Sequence, residues 1–181
     1  MIIGISGKRG VGKTAAARWL ERTHGFKRLS FADQLKTQAK MIFPFTDQHV
    51  NGSLKEEPFF KSGESPRDFM IKYGQFVRYF DTNYWLDATI REISKYPKVV
   101  IDDVRYKNEA DKLKSIGARI VRISRYKKYN PYKEELNDSS ETELDTYDKF
   151  DAEINEIENL TLTSLHNKLD ILMDNFNENK A

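Results

Sequence analysis

One short segment near the start of the chain constrains its fold more than any other feature. Gly7 to Thr14 read Gly-Lys-Arg-Gly-Val-Gly-Lys-Thr and satisfy the pattern G-x-x-x-x-G-K-[ST]. The apolar segment 2–6 before them is typical of a β-strand, and segment 13–22 after them is typical of a helix. The glycines therefore lie at a strand-to-helix turn, where backbone N–H groups and the helix N-terminus face a phosphate group.

The residue types in this loop predict a nucleoside triphosphate as its ligand. Lys13 is expected to span the β- and γ-phosphates, and the hydroxyl of Thr14 is a ligand for Mg²⁺. The residues expected to bind ATP are Gly7, Gly10, Val11, Gly12, Lys13, Thr14 and Ala15. The alternative is a glycine-rich turn beside a solvated lysine, which the strand-to-helix context disfavours.

Further short apolar strands are predicted at 28–31, 98–101 and 118–123, with helical segments between them. This alternation predicts an α/β fold with a mainly parallel sheet. Together with the loop, it predicts a three-layer sandwich of the P-loop NTPase type. A chain of 181 residues fits one domain.

Composition removes several classes of function. The absence of cysteine excludes disulfides, thiolate zinc sites and a cysteine nucleophile, so any metal should be bound by oxygen. A formal net charge of +2 argues against a polybasic surface for nucleic acid, and we expect no direct nucleic-acid partner. The sequence contains neither an apolar run long enough to span a membrane nor a signal peptide, so we expect a soluble, cytoplasmic protein without a membrane partner.

A second candidate feature follows an apolar strand. Val99-Val100-Ile101 leads directly into Asp102 and Asp103, and a carboxylate at the carboxyl end of such a strand can lie beside the metal of a P-loop site. The pattern does not decide which aspartate contacts the metal. Either carboxylate could instead cap a turn.

The longest predicted helix begins after Ser65. Ser65-Pro66-Arg67-Asp68 supplies an N-cap, a proline in the first turn and an acidic residue. Apolar residues then recur at helical spacing and are predicted to bury one face. These residues are Phe69, Met70, Tyr73, Phe76, Val77 and Phe80.

Two arginines on this helix suit a phosphorylated acceptor. Arg67 and Arg78 are eleven residues apart, so at about 100° per residue they point within about 20° of each other. Gly74 lies on the same stripe, and a mid-helix glycine leaves room for a planar ligand to approach the backbone. Arginine binds phosphate with two parallel hydrogen bonds. A solvated charged face is the alternative.

Asp33 and the basic residues near position 125 are further candidates. Asp33 follows the second strand and could orient or deprotonate an acceptor oxygen, or cap the helix that begins there. Arg122, Arg125, Lys127 and Lys128 precede a predicted mobile loop at 126–140, as expected of a lid that places cations over a transferred phosphoryl group. Segment 43–64 is also predicted to be a mobile loop.

A guanine-reading motif also occurs in the sequence. Asn167-Lys168-Leu169-Asp170 has the spelling found in switch GTPases, but it lies within a predicted amphipathic helix at 161–176. In a switch GTPase this motif follows a strand. We therefore interpret it as coincidental.

The motifs occur in an order that resembles the bacteriophage deoxynucleoside monophosphate kinases, which belong to the P-loop nucleoside monophosphate kinase group. The resemblance covers most of residues 1–160. After the P-loop, its most specific part is Asp-Asp-Val-Arg-x-x-Asn-Glu-Ala at 102–110. The other matching segments are Phe31-Ala32-Asp33-Gln34-Leu35-Lys36, Ser65-Pro66-Arg67-Asp68, Tyr73-Gly74 with Arg78, Asp81 with Tyr84-Trp85, and Ser140-Glu141.

The resemblance implies transfer of the ATP γ-phosphoryl group to a deoxynucleoside 5′-monophosphate, with Mg²⁺. The implied catalytic residues are Lys13, Asp33, Arg105 and Arg125. The implied acceptor-binding residues are Asp33, Lys36, Arg67, Gly74, Arg78 and Trp85, although Trp85 could equally be a core residue. The implied metal-binding residues are Thr14, Asp102 and Asp103.

The resemblance also implies a division of the single domain. The core is expected at 1–40 and 96–124, a segment that binds the monophosphate at about 41–95, a lid at about 125–145 and a C-terminal helix at about 161–176. A homodimer in the cytoplasm of an infected host is compatible with this class. A kinase for another small acceptor, such as dephospho-coenzyme A or a polynucleotide 5′ end, remains an alternative, as does a nucleotide-dependent switch.

Overall fold

The computed structural model describes residues 1–125, 139–156 and 161–178. The chain forms two compact units. Unit 1 comprises Met1–Leu29 and Ile93–Ala181, and unit 2 comprises Ser30–Glu92. Helix 32–42 thus lies in unit 2, whereas the sequence division assigned residues up to 40 to the core.

The described elements alternate between strand and helix. The strands are β1 (Ile2–Ser6), β2 (Lys27–Leu29), β3 (Val99–Val104), β4 (Arg119–Arg125) and β5 (Ala152–Glu156). The helices are α1 (Lys13–His24), α2 (Ala32–Ile42), α3 (Asp47–Asn51), α4 (Pro66–Phe80), α5 (Tyr84–Ile93), α6 (Lys107–Ser115), α7 (Ser139–Thr142) and α8 (Leu162–Glu178). Short 3₁₀ turns occupy Ser53–Lys55 and Glu143–Thr146.

Unit 1 is built on one sheet. Among the residues that the structure describes, its 5 strands lie in the order β2-β3-β1-β4-β5, and each neighbouring pair is parallel. The α/β prediction with a parallel sheet is therefore confirmed. β1 is central in this order, so the turn that follows it leaves the middle of the carboxyl edge of the sheet, where ligands of open α/β folds bind.

The two faces of the sheet follow from the alternation of side chains along β1. Ile3 and Ile5 are buried in a cluster that includes Leu20 of α1 and Leu165 of α8. The other face carries Gly4, whose missing side chain leaves space that Leu113 of α6 borders. Helices cover both faces, which gives the predicted three layers.

Helix α4 of unit 2 begins where the sequence predicted. Ser65 caps α4: its hydroxyl accepts from the N–H of Asp68 at 3.2 Å, and the Asp68 carboxylate accepts from the N–H of Ser65 at 2.9 Å. Because this carboxylate accepts hydrogen bonds from both the backbone and the hydroxyl of Ser65, its pKa is lowered. The reciprocal arrangement is a capping box.

The predicted apolar face of α4 is partly wrong. Met70 is buried, and Phe69, Tyr73 and Val77 pack against the core of unit 2. Phe76 and Phe80 are instead 61% and 72% exposed. Phe80 is the last residue of α4.

Segment 43–64 contains more regular structure than the sequence predicted. It includes α3 and a 3₁₀ turn, and Phe45 and Val50 are 5% and 0% exposed. Phe43, Phe45 and Phe60 form edge-on or tilted ring contacts with one another. These aromatic contacts explain why a stretch with weak periodicity folds. Its mobility stays a prediction.

The helices do not include a membrane-spanning candidate. In the part of the chain that the structure describes, no helix combines the length and apolarity that a span requires. Residues 126–138, to which the sequence assigned most of the lid, including Lys127 and Lys128, lie outside the described residues.

Candidate functional site

The P-loop requires glycine at its first position. Gly7 has φ 141°, and a Cβ built there would lie 2.2 Å from the carbonyl oxygen of Ile123 in β4. Gly10 and Gly12 also have positive φ, at 79° and 109°. The loop therefore passes close to the sheet in a backbone conformation that L side chains rarely adopt, and it ends where α1 begins.

Lys13 is held inside this loop. The residue is 9% exposed, and its ammonium group donates to the carbonyl oxygens of Gly7 and Lys8 at 2.5 and 2.9 Å. Burial, and next the positive charge of Arg105, lower the pKa of Lys13 to about 8. The ammonium group thus lies beside the loop backbone, where it would meet the phosphates of a nucleotide.

Thr14 and Asp102 are brought together. Asp102 is 4% exposed at the end of β3, and it accepts a hydrogen bond from the hydroxyl of Thr14. Burial, and next the charge of Asp103, raise the pKa of Asp102. Both side chains offer oxygen atoms, which Mg²⁺ prefers, so the pair fits a magnesium site.

Arg28 completes this group, and the sequence analysis missed it. Its Nε and Nη2 atoms both lie 2.8 Å from Oδ2 of Asp102. β2 pairs with β3, with Arg28 opposite Val100, which brings the guanidinium near the acidic end of β3. The only available signal was a charged residue in a strand, and it did not identify the partner.

The remaining metal candidate, Asp103, is half-buried. Burial lowers the pKa of Lys13, and the negative charge of Asp103 partly opposes that shift. Among the described residues, no group of three or more histidine and acidic side chains could hold a metal ion by itself. A metal here would need ligands from the nucleotide, as Mg²⁺ commonly does.

Arg105 also lies in this part of unit 1. Its side chain is 28% exposed, and Nη1 donates to the carboxylate of Glu141 and to the carbonyl oxygen of Ser140. Although burial opposes it, the charge of Glu141 raises the pKa of Arg105. Arg125 is the last residue of β4 and is half-buried.

Two of the acceptor candidates, Asp33 and Lys36, lie on α2, the first helix of unit 2. The carboxylate of Asp33 accepts from the N–H of Ser30 at 2.9 Å, so the capping alternative occurs in the structure. Nζ of Lys36 lies 3.9 Å from Oδ1 of Asp33. The side chain of Asp33 is 57% exposed.

The two arginines of α4 are both half-buried. Nη1 of Arg67 lies 3.6 Å from the carboxylate of Glu56, which is itself 52% exposed. Nη1 of Arg78 donates to the carbonyl oxygen of Thr82 at 3.3 Å. Neither of these two contacts is a bidentate pair with a buried carboxylate.

Gly74 and Trp85 are part of the packing of unit 2. A Cβ at Gly74 would lie 2.9 Å from Cδ1 of Leu35, so the glycine permits close packing of α2 against α4. Trp85 is 3% exposed, and its indole N–H donates to the carbonyl oxygen of Gly74 at 3.3 Å. The core alternative for Trp85 thus occurs in the structure, and Leu35 fills the space that a ligand was expected to use.

The guanine-reading spelling at 167–170 has a structural role. It lies within α8, where Leu169 is 1% exposed. The carboxylate of Asp170 accepts from the indole N–H of Trp19 at 2.8 Å and lies 2.7 Å from Nε2 of His24. Asp170 therefore ties α8 to α1, as expected if the motif is coincidental.

Two solved structures show a similar fold. Shikimate kinase from Aquifex aeolicus superposes with a TM-score of 0.54 at 16% identity, covering 97% of each chain. TT1252 from Thermus thermophilus superposes with a TM-score of 0.52 at 16% identity and the same coverage. These two likenesses show the fold.

A relative that is similar in sequence shows the family of this protein. The chain is 30% identical over 149 residues to a protein of Acanthamoeba polyphaga mimivirus described as a "putative deoxynucleotide monophosphate kinase", which covers 69% of this chain and 74% of the relative. The chain belongs to the family of this kinase and is a phosphotransferase. No protein-family model matches it.

Proposed function

We propose that the protein transfers the γ-phosphoryl group of ATP to a deoxynucleoside 5′-monophosphate, giving the diphosphate and ADP. The observation that carries this proposal is the grouping of Lys13, Thr14 and Asp102 at a P-loop in a chain whose relative is described as a deoxynucleotide monophosphate kinase. The donor side of the reaction lies in unit 1. The candidate residues for the acceptor lie in unit 2.

On the donor side, the backbone of the P-loop binds phosphate oxygens. The residues that would present N–H groups are Gly7, Gly10, Val11, Gly12, Lys13, Thr14 and Ala15. Lys13 would exchange the carbonyl oxygens of Gly7 and Lys8 for oxygens of the β- and γ-phosphates. This exchange places its charge where negative charge accumulates during transfer.

Magnesium fits the oxygen donors of this site. The hydroxyl of Thr14 and the carboxylate of Asp102 already contact each other, and Asp103 is the second carboxylate nearby. Bound Mg²⁺ would neutralise charge on the β- and γ-phosphates. Arg28 would hold Asp102 in its present orientation throughout, because it contacts the carboxylate through two nitrogen atoms.

On the acceptor side, Arg67 and Arg78 are the candidate phosphate ligands. They lie about 16 Å apart along the helix axis, so one would bind the phosphate and the other would face a different part of the acceptor or donor. Asp33 would orient the attacking phosphate oxygen, and Lys36 would add positive charge. Gly74 and Trp85 would act by fixing the packing of α4.

In this reaction the protein would act mainly by positioning the substrates and stabilising charge. Arg105 and Arg125 would stabilise the charge that spreads over the transferred group, a contribution of about 10³–10⁵ in rate for arginines so placed. Exclusion of water would protect ATP from hydrolysis. We further propose that the product supplies DNA synthesis of a bacteriophage in the host cytoplasm, and that the enzyme acts as a homodimer.

A panel of acceptors tests the proposal. ADP release from Mg-ATP is measured with each deoxynucleoside monophosphate, each ribonucleoside monophosphate, dephospho-coenzyme A, shikimate and a 5′-hydroxyl oligonucleotide. We expect strong stimulation by at least one deoxynucleoside monophosphate. Stimulation only by another acceptor, or slow release that no acceptor changes, would overturn the assignment.

A further inference from the structure

One acidic residue, from the Ser140-Glu141 segment, contacts the P-loop directly. The side chain of Glu141 in α7 is 5% exposed. Its Oε2 atom accepts from the backbone N–H of Arg9, within the P-loop, at 2.7 Å. Its Oε1 atom accepts from Nη1 of Arg105. One buried carboxylate thus joins the P-loop backbone to an arginine from the segment after β3.

Arg105 is held at both ends, by different residues. Its backbone N–H donates to the carboxylate of Glu109 at 2.8 Å, and Glu109 is 1% exposed. At the other end, Nη1 also donates to the carbonyl oxygen of Ser140 at 3.2 Å. Glu109 therefore fixes the main chain, while Glu141 and Ser140 determine where the guanidinium group lies.

The segment that carries Glu141 has other ties to unit 1. Asp145 lies 2.8 Å from Nζ of Lys8 and 2.7 Å from Nη2 of Arg122. The carboxylate of Glu143 accepts from the backbone N–H of Lys107 at 2.8 Å. These contacts keep segment 139–146 in place without Glu141, so its contact with Arg9 and Arg105 is not needed merely to attach the segment.

We propose that Glu141 is a positioning residue for phosphoryl transfer, which holds the guanidinium group of Arg105 and the P-loop amide of Arg9 in a fixed relation. This inference rests on the proposed function. Charge-assisted hydrogen bonds of this kind are stronger than neutral ones, and one carboxylate satisfies both donors at once. Without that negative charge, the cations of Arg105 and Lys13 repel each other with less compensation.

The test compares two identical substitutions in one segment. Glu141→Gln retains the size of the side chain but removes its charge, and Glu143→Gln is the matched control. For Glu141→Gln we expect kcat/KM for ATP to fall about 100-fold, while KM for the monophosphate changes less than about twofold. Glu143→Gln should stay within about twofold on both. Equal behaviour of the two variants would overturn the proposal.

A double-mutant cycle with Arg105→Ala separates positioning from a general structural effect. In the Arg105→Ala background, Glu141→Gln should cost less than about fivefold in kcat/KM, because the group that it positions is gone. The same 100-fold loss in both backgrounds would contradict the proposal. Glu141→Asp, which keeps the charge, should recover part of the activity, and failure of both Glu141 variants to fold would assign the residue a structural role instead.

Nucleotide binding keeps this inference distinct from the proposed function. Affinity for a fluorescent ADP analogue, measured without any acceptor, should fall about tenfold in Glu141→Gln and remain unchanged in Glu143→Gln. If the wild-type protein phosphorylated no monophosphate while this difference remained, the proposed acceptor would be wrong and the role of Glu141 at the P-loop would stand. An unchanged affinity of Glu141→Gln for the ADP analogue would contradict the inference about Glu141 but not the proposed function.

Discussion

The candidate residues of the two units differ in how firmly they are held. In unit 1, Lys13 and Asp102 are buried, and each is fixed by at least two polar partners. In unit 2, Arg67 faces an exposed glutamate at 3.6 Å, and Arg78 donates to a backbone carbonyl. This comparison leads us to expect that the P-loop side is preorganised for ATP, whereas the half-buried arginines of α4 change partners when an acceptor binds.

Lys13→Ala should have the largest effect. Removing the charge at the P-loop should lower turnover by about 1,000-fold or more, because no other described side chain takes the place of its ammonium group among the loop carbonyls. Steady-state assays of phosphoryl transfer measure this loss. Lys40→Ala, which alters a lysine paired with the exposed Asp47, is the control and should retain full activity. Substantial turnover in Lys13→Ala would contradict the role of Lys13 in phosphoryl transfer at the P-loop.

Arg67→Ala should affect use of the monophosphate much more than use of ATP. We expect kcat/KM for the monophosphate to fall about 100-fold, while KM for ATP changes less than twofold, since the arginine belongs to the acceptor side. Lys72→Ala, on the same helix and paired with Glu64, should change neither constant. An equal loss of kcat/KM for ATP and for the monophosphate would contradict the assignment of the α4 arginines to the acceptor.

Arg28→Ala should test the rigidity of unit 1 through stability. The substitution leaves the buried carboxylate of Asp102 without the guanidinium group that contacts it through two nitrogen atoms. Because Arg28 is 30% exposed, we expect a loss of about 2–3 kcal/mol in the free energy of unfolding. Urea denaturation measures it. Lys149→Ala breaks an exposed pair with Asp111 and should cost less than about 0.5 kcal/mol. Equal losses in the free energy of unfolding for Arg28→Ala and Lys149→Ala would contradict the expected difference between a buried and an exposed ion pair.

The smallest expected effect concerns pH. Burial lowers the pKa of Lys13 to about 8 in the free protein, and bound phosphate favours the protonated form. The protonated lysine is present below pH 8 and is lost above it, so affinity for ATP should fall about fivefold between pH 8 and pH 9. Titration calorimetry across this range measures the change. Lys13→Arg should bind with nearly constant affinity, and a flat profile in the wild type would contradict the prediction.

The sequence predicted the elements that local chemistry determines. The P-loop glycines, the capping box at Ser65 and the apolar strands β1 and β3 each carry their signal in consecutive residues. β5 was missed because Ala-Glu-Ile-Asn-Glu at 152–156 contains one large apolar residue among acidic ones, as an edge strand can. Its position depends on pairing with β4.

The candidate site was predicted only in part, for a related reason. Arg28 and Glu141 meet their partners 74 and 36 residues away, and no spacing rule connects them. The exposure of Phe76 and the contact between Gly74 and Leu35 depend on which elements cover α4. Periodicity identifies a face of a helix but not what lies against it.

The most direct test of the central claim follows the phosphoryl group itself. The protein is incubated with Mg²⁺ and ATP labelled in its γ-phosphate, together with an equimolar mixture of deoxynucleoside monophosphates, and the products are separated by chromatography. The account predicts that the label appears in at least one deoxynucleoside diphosphate. Label found only in inorganic phosphate or remaining in ATP would contradict it.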